Sequence, residues 1–314
     1  MAAANATGAI FKRHFSVTSL NNIIQNVTVI GGGLMGSGIA QVAAQSGNTV
    51  TLVEVDADRL KKTESSITNS LTRVGKKLYK DDPGAIKQFL EETRNRIRGT
   101  TDLKEAVKDS DLVVEAVVEN LKVKHELFKT IDEVAPQKTL FASNTSSLSI
   151  GEIAAVTNRK DRFGGLHFFN PVAVMKLLEV IRIPETSDET YEALMAWGKA
   201  IGKVCVTCKD TPGFVVNRLL IPYLAEAARL LDRGDASARD IDTAMKLGAG
   251  HPMGPFELMD YTGLDTAVFI LDGWYQKTQD PLFKVSEAVK KLVAEGKLGV
   301  KTGEGFYRYN KNKL

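Results

Sequence analysis

Apolar positions along this chain follow two regimes, and the change falls near residue 209. Before it, short β-rich runs at 27–30, 49–53, 111–118, 139–142, 162–169, 177–183 and 204–207 alternate with stretches of helical period. One helix carries Ile39, Val42 and Ala43 on a single face and ends at Gly47; another spans 122–135. This alternation predicts an α/β fold, a Rossmann-type doubly wound sheet. The rhythm is interrupted after 49–53 by a long helix at 58–80, a break at Pro83-Gly84, and a second helical stretch ending near Arg98, which together read as an inserted helical hairpin. Beyond 209 no strand pattern returns. Thr211 is placed as an N-cap with Pro212 at the first helical position, followed by helices at 214–233, 238–247, 264–277 and 286–295, with a Pro/Gly-rich connection between the second and third. The expected division is a sheet domain over 23–209 and an all-α domain over 210–314, whose apolar surface suits a homodimer.

The segment NVTVIGGGLMGSGIAQVAAQSGNTVTLVEVD, residues 26–56, adds chemistry to this outline. Gly31, Gly33 and Gly36 form G-x-G-x-x-G between the first strand and the first helix. Gly31 permits the tight turn, Gly33 lets the backbone approach a pyrophosphate at the helix N-terminus, and Gly36 lets helix and strand pack closely. Glu54 ends the second strand, 18 residues after Gly36. There a carboxylate accepts hydrogen bonds from the adenosine ribose and repels a 2′-phosphate, so NAD is expected rather than NADP. The expected cofactor contacts are the turn itself, Gly31, Gly32, Gly33, Leu34, Met35 and Gly36, together with Glu54.

Composition narrows the choice of partners. The chain has 314 residues, 43% of them hydrophobic and 25% charged, which is ample for two domains of a globular protein. No apolar stretch approaches the ~20 residues of a membrane span. Glu54 is the first acidic residue; the opening MAAANATGAIFKRHFSVTSLNN carries Lys12 and Arg13 with Ser, Thr and apolar residues, as mitochondrial transit peptides do. A tail with no address is the other reading. Removal of 1–22 takes the formal charge from +3 to about +1, which gives no reason to expect nucleic acid as a partner. Cys205 and Cys208 form C-x-x-C inside an alternating KVCVTCKD, where positions three apart face opposite ways; reduced, structural thiols are expected. No metal-ligand spacing links the histidines.

Several polar residues stand where chemistry is plausible. In an open parallel sheet ligands bind beyond the carboxyl ends of the strands, which places Glu119, Lys124, Asn144, Ser146 and His167 on one rim. His167 sits in GGLHFFNPV, and Glu179 twelve residues later lies in the apolar KLLEVI. A carboxylate inside an apolar strand is costly without a partner, and paired with histidine it orients the imidazole as a base for an alcohol. Taken alone, a lone histidine such as His167 is more often structural. Asn217, in FVVNRLLIP, is either a core hydrogen-bonding residue or one that reaches substrate across the domain cleft. Ser146 competes with a helix-capping role, and without a G-x-S-x-G elbow it is no hydrolase nucleophile. Between Arg59 and Lys80 seven basic residues face one acidic residue, Glu64; Ser70, Arg73 and Lys77 share a face, which is either a solvated surface or a seat for phosphates.

The motifs VIGGGLMGSGIAQVAA, DLVVEAVVENLKVKHELF, FASNTSSL, GLHFFNPVAVMKLLEVI, CKDTPGFVVNRLL, DIDTAMKLGAGHPMGPFELMDY and KTGEGFY, in that order, resemble the 3-hydroxyacyl-CoA dehydrogenase family, its short-chain mitochondrial members in particular. The resemblance runs from Val27 to Tyr307. It implies reversible oxidation of (S)-3-hydroxyacyl-CoA to 3-oxoacyl-CoA by NAD in the mitochondrial matrix, within fatty-acid β-oxidation. It further implies His167 as base, Glu179 as its orienting partner, Ser146 and Asn217 on the reacting oxygen or thioester, and Asn170 placing substrate and nicotinamide. Glu119, Lys124, Ser146 and Lys301 match cofactor positions, and Ser70 and Lys77 match coenzyme A positions. Glu54 departs from the aspartate the family often carries there. Two other readings stand beside this one: a dehydrogenase of a small free 3-hydroxy acid, which has no need of the basic face, and a non-catalytic NAD-binding regulatory protein, which has no need of the His167 and Glu179 pair.

Overall fold

The computed structural model describes residues 24–80 and 82–309; the segment 1–22 read as a targeting sequence lies outside the described residues. Eight strands form one sheet: β1 (Asn26–Ile30), β2 (Thr49–Val53), β3 (Ile97–Thr100), β4 (Leu112–Glu115), β5 (Leu140–Ser143), β6 (Phe163–Phe168), β7 (Leu177–Arg182) and β8 (Val204–Lys209). Their spatial order is β3-β2-β1-β4-β5-β6-β7-β8, and every neighbouring pair is parallel except β6 and β7. The order reverses between β1 and β4, so the crevice that receives ligands in such sheets opens beside Ile30 and Glu115.

Alternate strand residues feed two cores, as the two-residue period requires. Val27, Val29, Leu112 and Val114 pack on one face with α1 (Leu34–Gln45), α2 (Ala57–Tyr79) and, at the far end, a helix before β8. Val113, Phe141 and Phe163 pack on the other face with Phe128 and Ile131. The remaining helices of this half are α3 (Pro83–Arg94), α4 (Leu103–Ala106), α5 (Leu121–Asp132), α6 (Ile150–Ala154) and α7 (Asp188–Ala200). The hairpin of α2 and α3 closes on itself through Gly75, which lets Ile86 and Phe89 approach, and through the Tyr79 and Phe89 rings at 5.7 Å.

From Val216 onward the chain is helical: α8 (Val216–Asp232), α9 (Ala238–Gly248), α10 (Pro255–Thr262), α11 (Leu264–Thr278) and α12 (Glu287–Ala294). They enclose a third core around Leu224, Phe256, Met259, Leu271 and Phe283. Among the described residues no helix is long and apolar enough to cross a membrane.

Several expectations need correction. The second arm of the hairpin stops at Arg94, not near Arg98, because Ile97–Thr100 pairs with β2 as an edge strand whose Arg98 and Gly99 hide its β character. A helix, α7, fills the gap between β7 and β8, with Ser187 as its cap and Asp188 and Glu189 in its first turn. Another, α10, occupies the connection read as Pro/Gly-rich, because Pro255 stands at the first helical position, where its missing N–H costs nothing. Thr211 does not cap the next helix. The chain turns through Gly213 (φ 81°) and Phe214 (φ 52°), and α8 begins only at Val216.

Candidate active site

The glycine turn is built as its spacing implied. Gly31 has φ 96°, and a Cβ there would lie 2.7 Å from the carbonyl oxygen of Ala116. At Gly36 it would lie 1.8 Å from the Gly31 carbonyl, which excludes any side chain without displacement of the turn. Gly33 meets nothing within 4 Å, so its backbone faces open space. Helix α1 starts there with no side-chain cap and no acidic residue in its first turn. Its first N–H groups and the positive end of its dipole, about half an elementary charge, are therefore directed at an anion site. The residues present fit the pyrophosphate of a dinucleotide. Glu54 accepts from Gly32 N at 2.9 Å and from Val55 N at 3.1 Å, while the Thr63 hydroxyl donates to Gly32 O. The carboxylate expected to read the ribose thus sits against the turn that would hold the phosphates.

Behind the next strand lies a carboxylate network that sequence reading did not isolate. Glu115 is fully buried at the end of β4 and accepts from Val117 N at 2.7 Å, Lys124 Nζ at 2.6 Å and Ser143 Oγ at 2.6 Å. Lys124 is equally buried and also lies 3.3 Å from Glu119. Burial would raise the Glu119 carboxyl, but the Lys124 charge and hydrogen bonds from Thr145, Ser146 and Ser147 take it below its ordinary value. One Glu119 oxygen accepts from Thr145 Oγ1 (2.5 Å), Ser146 N (2.9 Å), Ser147 N (3.1 Å) and Ser147 Oγ (3.0 Å). Glu119 therefore shapes the loop after β5, and Ser146 stands exposed on it with its backbone fixed. Ser149, not Ser146, caps α6. Asn144 ties this loop to the next strand by accepting from Phe168 N at 2.9 Å.

His167 lies inside β6 rather than after it, and the antiparallel register places it directly opposite Glu179 of β7. Nδ1 is 2.7 Å from Glu179 Oε2. Both side chains are buried, His167 at 4% exposure and Glu179 at 0%. The second oxygen, Oε1, accepts from Val215 N at 3.0 Å and Val216 N at 2.8 Å, the two N–H groups that open α8. Burial pushes the Glu179 carboxyl up, but the His167 hydrogen bond and the Val216 and Val215 N–H groups outweigh it, and the group stays ionised below its ordinary range. A carboxylate can only accept, so Nδ1 keeps its proton and Nε2 offers its lone pair. The rings of Phe169 and Phe214 lie at 4.6 and 5.4 Å from the imidazole. Phe214 is buried against the imidazole ring at a positive φ, a conformation that costs about 1 kcal/mol.

Other expected residues fall into two groups. Asn217 stands in the first turn of α8, directly after the N–H groups bound by Glu179, and Asn170 is exposed in the loop after β6. Ser70, Arg73 and Lys77 share a face of α2, Ser70 half-buried and the two cations exposed, with no ion pair to either cation among the described residues. Lys301 belongs to the helical half and pairs with Asp265 at 2.5 and 2.7 Å. His125 bonds the Glu152 carbonyl and His251 lies 3.3 Å from the Tyr223 hydroxyl. Cys205 and Cys208 are free and serve opposite cores, and burial pushes the Cys208 thiol up to about 11. Among the described residues no cluster of metal-ligating side chains occurs.

Comparison with known proteins adds to this geometry. Residues 26–211 match the family described as 3-hydroxyacyl-CoA dehydrogenase, NAD binding domain, and residues 213–309 match its C-terminal domain. The chain is 60% identical over 288 residues to the mitochondrial hydroxyacyl-coenzyme A dehydrogenase of Sus scrofa, covering 91% of this chain and 92% of that one. It is 59% identical over 295 residues to the Homo sapiens protein of the same name, covering 94% of each. The crystal structure of (S)-3-hydroxybutyryl-CoA dehydrogenase from Ralstonia eutropha superposes with a TM-score of 0.87 at 42% identity, covering 92% of this chain and all of that one.

Proposed function

The chain belongs to the 3-hydroxyacyl-CoA dehydrogenase family, and from that membership we propose how its side chains carry out the NAD-dependent oxidation of (S)-3-hydroxyacyl-CoA to 3-oxoacyl-CoA. NAD, when bound along the Gly31 to Gly36 turn with its ribose at Glu54, supplies the hydride acceptor. His167 Nε2 takes the proton of the 3-hydroxyl as the C3 hydrogen departs with its electron pair, leaving the ketone. Glu179 keeps the proton on Nδ1 and stabilises the imidazolium that forms. In the reverse direction the same imidazolium returns the proton to the new alcohol.

Ser146 and Asn217 hydrogen-bond the reacting oxygen or the thioester carbonyl, and Asn170 places the substrate against the nicotinamide. Glu119 and Lys124 form the cofactor wall on the β4 side. Ser70, Arg73 and Lys77 hold the phosphates of coenzyme A, and Lys301 completes the cofactor site from the helical half. Residues 23–209 form the NAD domain and 210–314 the helical domain. A homodimer forms through that second domain, whose Leu219, Leu247, Tyr261 and Phe269 are 62 to 84% exposed and would otherwise meet water. The protein works in the mitochondrial matrix in fatty-acid β-oxidation, delivered there by residues 1–22.

The observation that carries this reading is the buried His167 and Glu179 pair, on strands of the same sheet that carries an uncapped glycine turn. Its test is steady-state oxidation of 3-hydroxybutyryl-CoA, with free 3-hydroxybutyrate as control. The thioester should be the better substrate by at least about 10²-fold in kcat/KM, the worth of a few lost contacts. Equal use of the free acid, or no turnover of either, would overturn it.

A further inference from the structure

The loop that follows the catalytic strand is held by a buried lysine that none of this chemistry uses. Lys203, just before β8, is 8% exposed, yet no carboxylate pairs with it among the described residues. Its Nζ donates instead to the carbonyl oxygens of Val172 and of Met175, the latter at 2.8 Å, and lies 5.8 Å from the centre of the Phe168 ring. Burial pulls the ammonium below its ordinary value. A methionine of similar length would fill the space without desolvating a cation, so packing alone does not account for a lysine here.

What the ammonium grips is a short, tightly accounted loop. Pro171 O accepts from the N–H groups of both Val174 and Met175 at 2.9 Å, and Lys203 takes the Val172 and Met175 carbonyls. On its other side the loop rests on the cofactor helix: Val172, 3% exposed, sits over Gly38 of α1, where a Cβ would lie 2.8 Å from Val172 Cβ. The loop is thereby fixed between α1 and Lys203. Asn170 stands at its start, and Val174 and Met175 form an exposed apolar lip, at 66 and 40%.

We propose that Lys203 is a positioning residue for the dehydrogenase reaction, its ammonium fixing the 170–175 loop over α1 so that Asn170 and the Val174–Met175 lip align the substrate's reacting end with the cofactor. The proposal rests on the function given above. Lys203 touches neither substrate nor cofactor; it acts through the two carbonyls it binds.

Lys203→Met removes both hydrogen bonds and keeps the chain length, and Lys203→Arg restores charge and donors. On full-length protein, kcat and KM with 3-hydroxybutyryl-CoA, the NADH dissociation constant and deuterium exchange of the 172–176 amides are measured together. Lys203→Met should fold, bind NADH within about threefold of wild type, exchange faster at 172–176, and lose about 10- to 100-fold in kcat, as misplacement by an ångström does. Lys203→Arg should recover most of that loss. Wild-type kcat in Lys203→Met, or a lost kcat with unaltered exchange in the loop, overturns the proposal. Should the methionine variant not fold, Lys203→Leu, which likewise has no donor, is read by the same criteria. A wild-type protein inactive on acyl-CoA would overturn the functional reading, whereas the exchange comparison would still report whether Lys203 holds the loop.

Discussion

The two ends of the sheet reach function by different routes. Around β1 and β2 the binding surface is made of backbone: glycines that make room, an uncapped helix start, and one carboxylate from the next strand, all within 26–54. Around β6 and β7 the proposed chemistry falls to side chains brought together by register. His167 meets Glu179 only because the one antiparallel pair in the sheet sets them opposite each other. The first region recognises a feature shared by many dinucleotides, and backbone suffices. The second, on the function proposed, must hold one proton on one nitrogen, which demands a buried, fully satisfied carboxylate. Glu179 achieves this with three donors, His167 and the first two N–H groups serving α8, and so ties the dyad to the helical half.

That contrast can be broken first at Glu179. Glu179→Gln keeps an oxygen for the Val215 and Val216 N–H groups but presents an amide N–H to Nδ1, which favours the tautomer with its proton on Nε2. Turnover should fall by about 10² to 10⁴ with the fold and NADH binding retained. A variant with near-normal kcat would show that the pairing is structural. On the cofactor side the expected effect is smaller: Glu54→Ala should narrow the preference for NAD over NADP by about tenfold, the loss of one like-charge repulsion. Equal specificity constants for both cofactors in the wild type would remove that role from Glu54.

Lys77→Ala probes α2, which belongs to neither region. Its loss should appear mainly in KM for acyl-CoA, by about 1 to 3 kcal/mol, and should shrink for a pantetheine thioester that lacks the nucleotide phosphates. Equal losses on both substrates would assign Lys77 to the fold. The smallest effect is on acid stability. Because the folded Glu179 carboxyl lies below its ordinary value of 4.5, its contribution is fully present above that pH and fades as pH falls through the folded value. The stability gap between wild type and Glu179→Gln should therefore narrow in acid denaturation scans below pH 4.5; a gap that widens there contradicts the sign.

Legibility from sequence follows the same division. The glycine turn could be read residue by residue because its three glycines and Glu54 lie close together in the chain, although Ala116 and Thr63, which crowd Gly31 and Gly32, come from farther along. Glu179 could be suspected because a carboxylate in KLLEVI demands a partner, but its second oxygen could not, since Val215 and Val216 are 36 and 37 residues away. Remote carboxylates also start other helices: Asp242 accepts from Phe256 and Glu257 at α10, Asp232 from Glu287 and Ala288 at α12, and Asp210 from Ile150 and Gly151 at α6. Local capping residues alone therefore put the start of α8 at Thr211 and give no sign of α10. Glu115 and Lys203 were missed for a related reason. Each looks like an ordinary charge until the fold buries it, although a glutamate closing the apolar run LVVE gives the same signal that flagged Glu179.

The most direct test of the account is to measure NADH affinity and 3-hydroxybutyryl-CoA turnover on one preparation of His167→Gln. Turnover should fall by about 10² to 10⁴ while NADH binding stays at the wild-type value, because the backbone-built cofactor site does not depend on the dyad. Full turnover, or turnover lost in proportion to NADH affinity, would contradict it.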